Sequence, residues 1–198
     1  MQLITDKGPG GERVLALGTF DGVHRGHQEL LAIGKRYAQE HGILLRACSF
    51  DRHPLEVLRP EMAPKPLTSI PEKAKLMEQY GADELQLFPF TREMADMEPE
   101  DFLRMLRETV SLKAVVAGWN YTFGKAGKGN AGTLYEDGAK HGYDVLIVPP
   151  VKTEDGETIS SSLIRQLLKE GRYDEAEELL GHSLKLPDSV RGCEQHEQ

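Results

Sequence analysis

Val14-Leu-Ala-Leu-Gly-Thr-Phe-Asp-Gly-Val-His-Arg-Gly-His27 is the stretch on which the fold turns. Its apolar run to Phe20 has the pattern of a buried strand, and Asp21-Gly22 that of a tight turn. Gly26-His27 then opens an amphipathic helix carrying Leu30, Leu31, Tyr37 and Ala38. A strand, turn and helix of this kind can hold an anion. Glycine lets the backbone approach a phosphate closely, and the unpaired amides of a helix's first turn add donors and partial positive charge. His24 and His27, three residues apart, can point to one side of that terminus. Such fixed donors suit attack on a nucleoside triphosphate, where charge builds on the oxygens of the reacting phosphorus. Spacing alone fits a glycine-rich turn with two solvated histidines as well. The stretch lacks the Gly-Lys-Ser/Thr of a Walker A loop and does not match Gly-x-Gly-x-x-Gly, and no cysteine stands beside the histidines to suggest zinc.

Upstream, residues 1–12 are polar and glycine-rich, and are read as a lead-in rather than a structural element. Downstream, Gly42 stops the helix and residues 43–50 form a second buried strand. Residues 51–60, followed by Pro64, Pro66 and Pro71, are too rich in proline for regular structure, and so long a loop is usually functional or mobile. Ser69 with Glu72 forms a capping box for a helix that Gly81 ends. A strand over 84–88, a helix opened by Glu98-Pro-Glu-Asp and a strand over 113–118 follow. A second glycine-rich connection spans 119–130, ahead of a helix over 134–141 and a strand over 144–148. A hairpin turn around 154–157 and two helices, over 161–170 and 173–180, complete a domain expected over 13–182, with a polar tail over 183–198.

This alternation predicts an α/β fold: a mostly parallel sheet of five strands or more with helices on both faces. In such sheets ligands sit beyond the carboxyl ends of the strands. That rule gathers the loops after Gly18, Phe50 and Gly118 at one edge.

The whole chain narrows the partners. With 198 residues it suits one domain, and the formal charge of −8 argues against nucleic acid or an anionic membrane surface. A small anionic substrate needs local positive charge, which Arg25, Lys125, Lys128 and Arg165 offer beside turn-like stretches. Cys48 and Cys193 follow no pairing pattern, and neither a spanning apolar run nor a signal-peptide core is present, so the expected setting is the reducing cytoplasm. Thr158-Ile-Ser-Ser-Ser-Leu-Ile-Arg165 is the remaining suggestive stretch. Its hydroxyls form an N-cap, and Arg165 lies at a helix end where the macrodipole disfavours a cation, an anomaly that an intervening anion would explain. A plain serine cap with a surface arginine is the alternative.

His24-x-Gly-His27 after Gly18-Thr-Phe-Asp, with Ile159-Ser-Ser-Ser-Leu-Ile-Arg165, resembles the paired signatures of the nucleotidyltransferase superfamily with an HIGH-like motif, whose fold is Rossmann-like. Phe50-Asp-Arg-His-Pro-Leu-Glu-Val-Leu-Arg-Pro60, Leu67-Thr-Ser, Val115-Val-Ala-Gly-Trp-Asn-Tyr-Thr-Phe-Gly124 and the run from Gly171 to Gly181 narrow the likeness. In those motifs the chain resembles the FMN adenylyltransferase (FAD synthetase) module of the bacterial bifunctional riboflavin kinase/FAD synthetase family. The resemblance implies transfer of the adenylyl group of ATP, with Mg²⁺, to FMN, giving FAD and pyrophosphate. It implies that His24 and His27 hold the triphosphate and stabilise the transition state, while Ser160, Ser161, Ser162 and Arg165 grip the outer phosphates. Gly18, Thr19, Phe20, Asp21, Gly22 and Gly26 would line the nucleotide, with Asn120 near ATP or the metal, whose ligands stay open. Phe50, Asp51, His53, Pro54 and Phe123 are its flavin candidates.

Three departures qualify the likeness. The family's Asp-Pro-His-Pro is Asp51-Arg-His-Pro here, its Ser-Ser-Thr is Ser160-Ser-Ser162, and its kinase barrel has no counterpart after Gly181. No riboflavin kinase activity is therefore expected, and a separate kinase is a possible partner. The competing readings are another small-molecule nucleotidyltransferase, of phosphopantetheine or alcohol-phosphate type, and a catalytically silent flavin- or nucleotide-binding regulator.

Overall fold

A computed structural model describes residues 1–5 and 8–184. Strands β1 (Gln2–Ile4) and β2 (Glu12–Leu17) precede helix α1 (Arg25–His41), and β3 (Leu44–Phe50) precedes the short α2 (Pro54–Leu58). Then come α3 (Ile70–Gln79), β4 (Glu84–Phe88), α4 (Arg92–Ala95), α5 (Pro99–Thr109) and β5 (Ser111–Gly118). The domain closes with α6 (Ala131–His141), β6 (Asp144–Val148), α7 (Ser161–Lys169) and α8 (Tyr173–Leu180). The six strands form one sheet in the order β1-β4-β3-β2-β5-β6, and every pairing is parallel.

The period of two in β2 divides its side chains between two cores. Val14 and Ala16 join Leu30, Leu31 and Ala38 of α1 and Met77 of α3. Leu15 and Leu17 join Phe102, Leu103 and Leu106 of α5 and Leu134 of α6 on the opposite face. A third cluster, Ile159, Ile164 and Leu167 with Ala176, Leu179 and Leu180, binds α7 to α8. The chain leaves β2 toward β3 and β4 on one side and fills β5 and β6 on the other, so the turn after Leu17 lies where the strand order reverses. No helix among the described residues is long and apolar enough to cross a membrane.

Two expectations are corrected. Residues 1–12 are more than a lead-in: β1 pairs with β4, Ile4 is buried, and the Arg46 guanidinium donates to the Pro9 carbonyl at 2.8 Å. The proline-rich connection also contains helix. Pro54 and Pro60 stand at the first turns of α2 and of a 3₁₀ turn (Pro60–Met62), where a missing N–H costs nothing because that amide has no helical partner. The expected tail lies outside the described residues from 185 onward, and Cys193 with it.

Candidate active site

The segment between β2 and α1 is strained. Phe20 (φ 51°) and Val23 (φ 41°) both lie in the left-handed region, which a β-branched residue rarely enters, on either side of Asp21 and Gly22 (φ 80°). Side chains from several other elements hold it there. Ser49 Oγ donates to the Thr19 carbonyl at 2.9 Å, as does Lys73 Nζ, and Ser161 Oγ donates to the Asp21 carbonyl at 2.9 Å. Gln28 Nε2 donates to the Val23 carbonyl at 2.8 Å, and His182 Nε2 meets the Gly22 carbonyl at the same distance. A side chain at Gly22 would be strained by its positive φ and would also meet Leu67 at 2.8 Å and Leu180 at 3.1 Å, so the turn favours glycine.

The turn delivers two imidazoles. His24 caps α1 without a side-chain hydrogen bond, and its ring stacks on that of His27 with centroids 3.7 Å apart. Nδ1 of each ring is buried without a hydrogen-bond partner, an arrangement that a ligand can complete. Burial pushes the His24 pKa down to about 4. Burial, then the neighbouring His24 and Lys73, holds His27 well below the ordinary value, so both rings are neutral at pH 7. A neutral ring has one N–H to donate and one lone pair to accept.

Both rings line a cavity of about 800 Å³ at the carboxyl edge of the sheet. Gly18, Thr19, Asp21, Gly26, Asn120, Ser160, Ser161, Ser162 and Arg165 line it too, so two helix N-termini and both signature stretches meet there. Ser160 caps α7 by accepting the Leu163 amide at 3.2 Å. Phe50, His53, Pro54 and Phe123 line the same cavity. Phe50 packs edge-on against Phe90 with centroids 4.8 Å apart, and Phe123 lies beside Phe102 and Tyr121. His53 caps α2, its Nδ1 accepting the Leu55 amide at 3.1 Å. Of the four cations singled out, Lys125 and Arg165 reach the cavity, whereas Lys128 pairs with Glu98 outside it.

Several expected residues stand elsewhere. The Phe20 ring is fully buried in the core beneath His27, Gly22 faces α8 and Leu67, and none of Phe20, Gly22 and Asp51 lines the cavity. Asp51 is structural: its carboxylate accepts the Phe90 amide at 2.9 Å and pairs with Arg52, which keeps that cation on the exposed side of the loop. Asp21 does line the cavity, but its carboxylate accepts the Leu67 amide and forms an ion pair with Arg165. The anion that offsets the misplaced cation of α7 is therefore supplied by the chain itself. Arg165 is the fifth residue of α7, and its Nε also donates to the Lys65 carbonyl at 3.1 Å. Lys73 and Ser49 also support the turn and belong to no motif of the sequence. They act on main-chain carbonyls from other elements, and the one available signal was a lysine on the inner face of α3.

Fold and cavity together define a doubly wound α/β protein with a ligand-sized cavity at the switch point of its sheet. Comparison then places the chain more narrowly: it belongs to the FAD synthetase family, whose model matches residues 9–163. An FAD synthetase of Listeria monocytogenes is 36% identical over 91% of this chain and 73% of its own length. The bifunctional riboflavin kinase/FMN adenylyltransferases of Listeria monocytogenes and Bacillus subtilis are 35% and 36% identical over 95% and 85% of this chain. The chain spans only 60% and 53% of those two relatives. A crystal structure of a macrolide-efflux protein from Streptococcus pneumoniae superposes with a TM-score of 0.82 at 31% identity, over 93% of this chain and 61% of that one.

Proposed function

We propose that the chain transfers the adenylyl group of ATP to FMN, releasing FAD and pyrophosphate. The observation that carries this reading is the meeting of two neutral, unpartnered imidazoles with the serine-capped end of α7 in a cavity that also has an aromatic wall. An oxygen of the FMN phosphate attacks the α-phosphorus of ATP as the bond from that phosphorus to the pyrophosphate oxygen breaks. The work left to the protein is alignment and stabilisation of charge on the phosphoryl oxygens. In this reading His24 and His27 give N–H donors to those oxygens. Ser160, Ser161, Ser162 and Arg165 receive the outer phosphates, with Arg165 exchanging the Asp21 carboxylate for phosphate. Gly18, Thr19, Gly26 and Asn120 border the nucleotide, while Phe50, His53, Pro54 and Phe123 form the flavin end, where a flat ring needs apolar faces.

Among the described residues no three His, Cys, Asp or Glu side chains cluster to cage a metal ion. Asn120 and Asp96, the latter paired with Arg92, line the cavity, and their side-chain oxygens would hold a Mg²⁺ that arrives on the polyphosphate and keeps its waters. Bound there, it would neutralise charge on the phosphates. We assign no riboflavin phosphorylation to these residues, so FMN would come from a separate kinase activity in the same cytoplasm.

The test is incubation with FMN, ATP and Mg²⁺, following FAD and pyrophosphate, alongside riboflavin in place of FMN. FAD forms from FMN, and no FMN forms from riboflavin. His27→Ala lowers kcat about a hundredfold to a thousandfold, as for loss of a donor to a transition-state oxyanion. Turnover of another phosphate acceptor with FMN left untouched would overturn the substrate assignment, and an unchanged rate would remove His27 from the mechanism.

A further inference from the structure

Lys73, in the first turn of α3, is buried at 7% exposure below the strained turn. Its ammonium group is 2.9 Å from the Thr19 carbonyl and 3.5 Å from Ser49 Oγ, and it pairs with no carboxylate among the described residues. Ser49 already donates to that carbonyl. Hydrogen bonding at Thr19 therefore needs no charge from Lys73, and a buried, unpaired cation is costly to keep. Burial lowers its pKa, opposed by the Asp21 carboxylate, whose own oxygens are engaged by Arg165 and the Leu67 amide. The remaining titratable groups that share its field are His27 and His53, both held below the ordinary histidine value with Lys73 among the causes. A cation so placed lacks an anion, and the cavity just across the turn is the place where an anion can arrive.

We infer that Lys73 is a positioning residue of this site: from beneath the backbone it fixes Thr19 beyond the end of β2 and supplies a positive charge that the polyphosphate of the nucleotide neutralises. The inference rests on the nucleotide half of the reading above and is independent of the acceptor. Because coupling is reciprocal, a phosphate chain that stabilises the Lys73 charge must bind more weakly when that charge is removed.

The experiment is calorimetric titration of the full chain with ATP and Mg²⁺, and with adenosine by competition, for wild type, Lys73→Gln and Lys73→Arg. Lys73→Gln keeps a donor and loses the charge; it weakens ATP about tenfold or more and leaves adenosine within about threefold. Lys73→Arg restores ATP binding to within about threefold of wild type. Equal loss of ATP and adenosine, without rescue by arginine, would reduce Lys73 to a packing role and overturn the inference, as would unchanged ATP affinity in Lys73→Gln. Where Lys73→Gln does not fold, Lys73→Met is read for the same ratio of ATP to adenosine loss, and failure of both to fold beside a folded Lys73→Arg that binds ATP like wild type overturns the nucleotide role in favour of a structural one. Wild type that binds ATP yet makes no FAD sinks the acceptor assignment alone. Wild type that binds no ATP sinks both.

Discussion

At the scale of single residues, the site depends on groups kept out of their preferred state. His24 is the clearest case, because burial favours its neutral form and lowers its pKa from 6.5 to about 4. The unfolded chain takes up a proton near 6.5 that the folded chain refuses until about 4. Between those values the unfolded state binds more protons, so stability rises with pH across the window and falls as pH drops through it. His27, lowered for the same reason, acts in the same direction. On acidification from pH 7 to pH 4.5 the His24 contribution removes on the order of 2–3 kcal/mol. Urea unfolding at the two pH values, compared with His24→Asn, checks this: the variant loses less stability than wild type. Equal losses in both proteins would mean that His24 titrates normally. Asp21 and Arg165 differ, since each offsets the other's charge at the cavity wall.

At the scale of elements, periodicity and capping carried most of the information. The helix expected after the Ser69 and Glu72 box is α3, with both capping bonds present, and Gly42 and Gly181 end α1 and α8 in left-handed conformation. What failed was the reading of proline as a breaker over 51–60, where Pro54 opens α2, whereas Glu98-Pro-Glu-Asp opens α5 as expected. His53 and Glu56 build a capping box in α2, but a histidine cap is not part of the usual Ser/Thr signature. The glycine-rich connection between β5 and α6 is also more than a flexible link. Phe123 and Gly129 bridge as an antiparallel pair, and a Cβ at Gly129 would lie 2.6 Å from the Phe123 ring. Gly129→Ala must therefore push Phe123, part of the proposed flavin wall, out of its place beside Phe102. We expect KM for FMN to rise about fivefold to tenfold, as for loss of 1–1.5 kcal/mol of ring contact, with KM for ATP unchanged. Steady-state kinetics with each substrate varied in turn would show it, and equal effects on both would count against this division of the cavity.

At the scale of the molecule, the edge of the sheet that bears the cavity is legible in the sequence and the opposite edge is hidden. The two signature stretches are local runs whose cap and turn chemistry can be read residue by residue, so their meeting in one cavity follows from a parallel sheet. The first turns of the strands offer no such run. Arg13 and Arg46 look like interruptions of apolar segments, and β1 is three residues long, too short for a periodic signal. Their meaning lies in Glu84, which accepts from Arg13 at 3.0 Å and from Arg46 at 2.7 Å across three adjacent strands, while Arg46 also tethers Pro9. Burial works to raise the Glu84 pKa, but the two guanidiniums hold it below the ordinary range, so the triad is charged at neutral pH. Removing the central carboxylate leaves two buried cations facing each other. Glu84→Ala should cost roughly 3–5 kcal/mol, the usual effect of breaking a buried pair from one side. In a chain of this size that lowers Tm by roughly 6–20 °C. The triad stands at the amino ends of β2, β3 and β4, whereas the cavity opens at their carboxyl ends. Adenylyl transfer per folded molecule at 20 °C should therefore match wild type, while thermal unfolding followed by circular dichroism shifts down. An unshifted Tm would show that the triad contributes nothing to stability, and a lost rate at full folding would show that the two edges of the sheet are coupled.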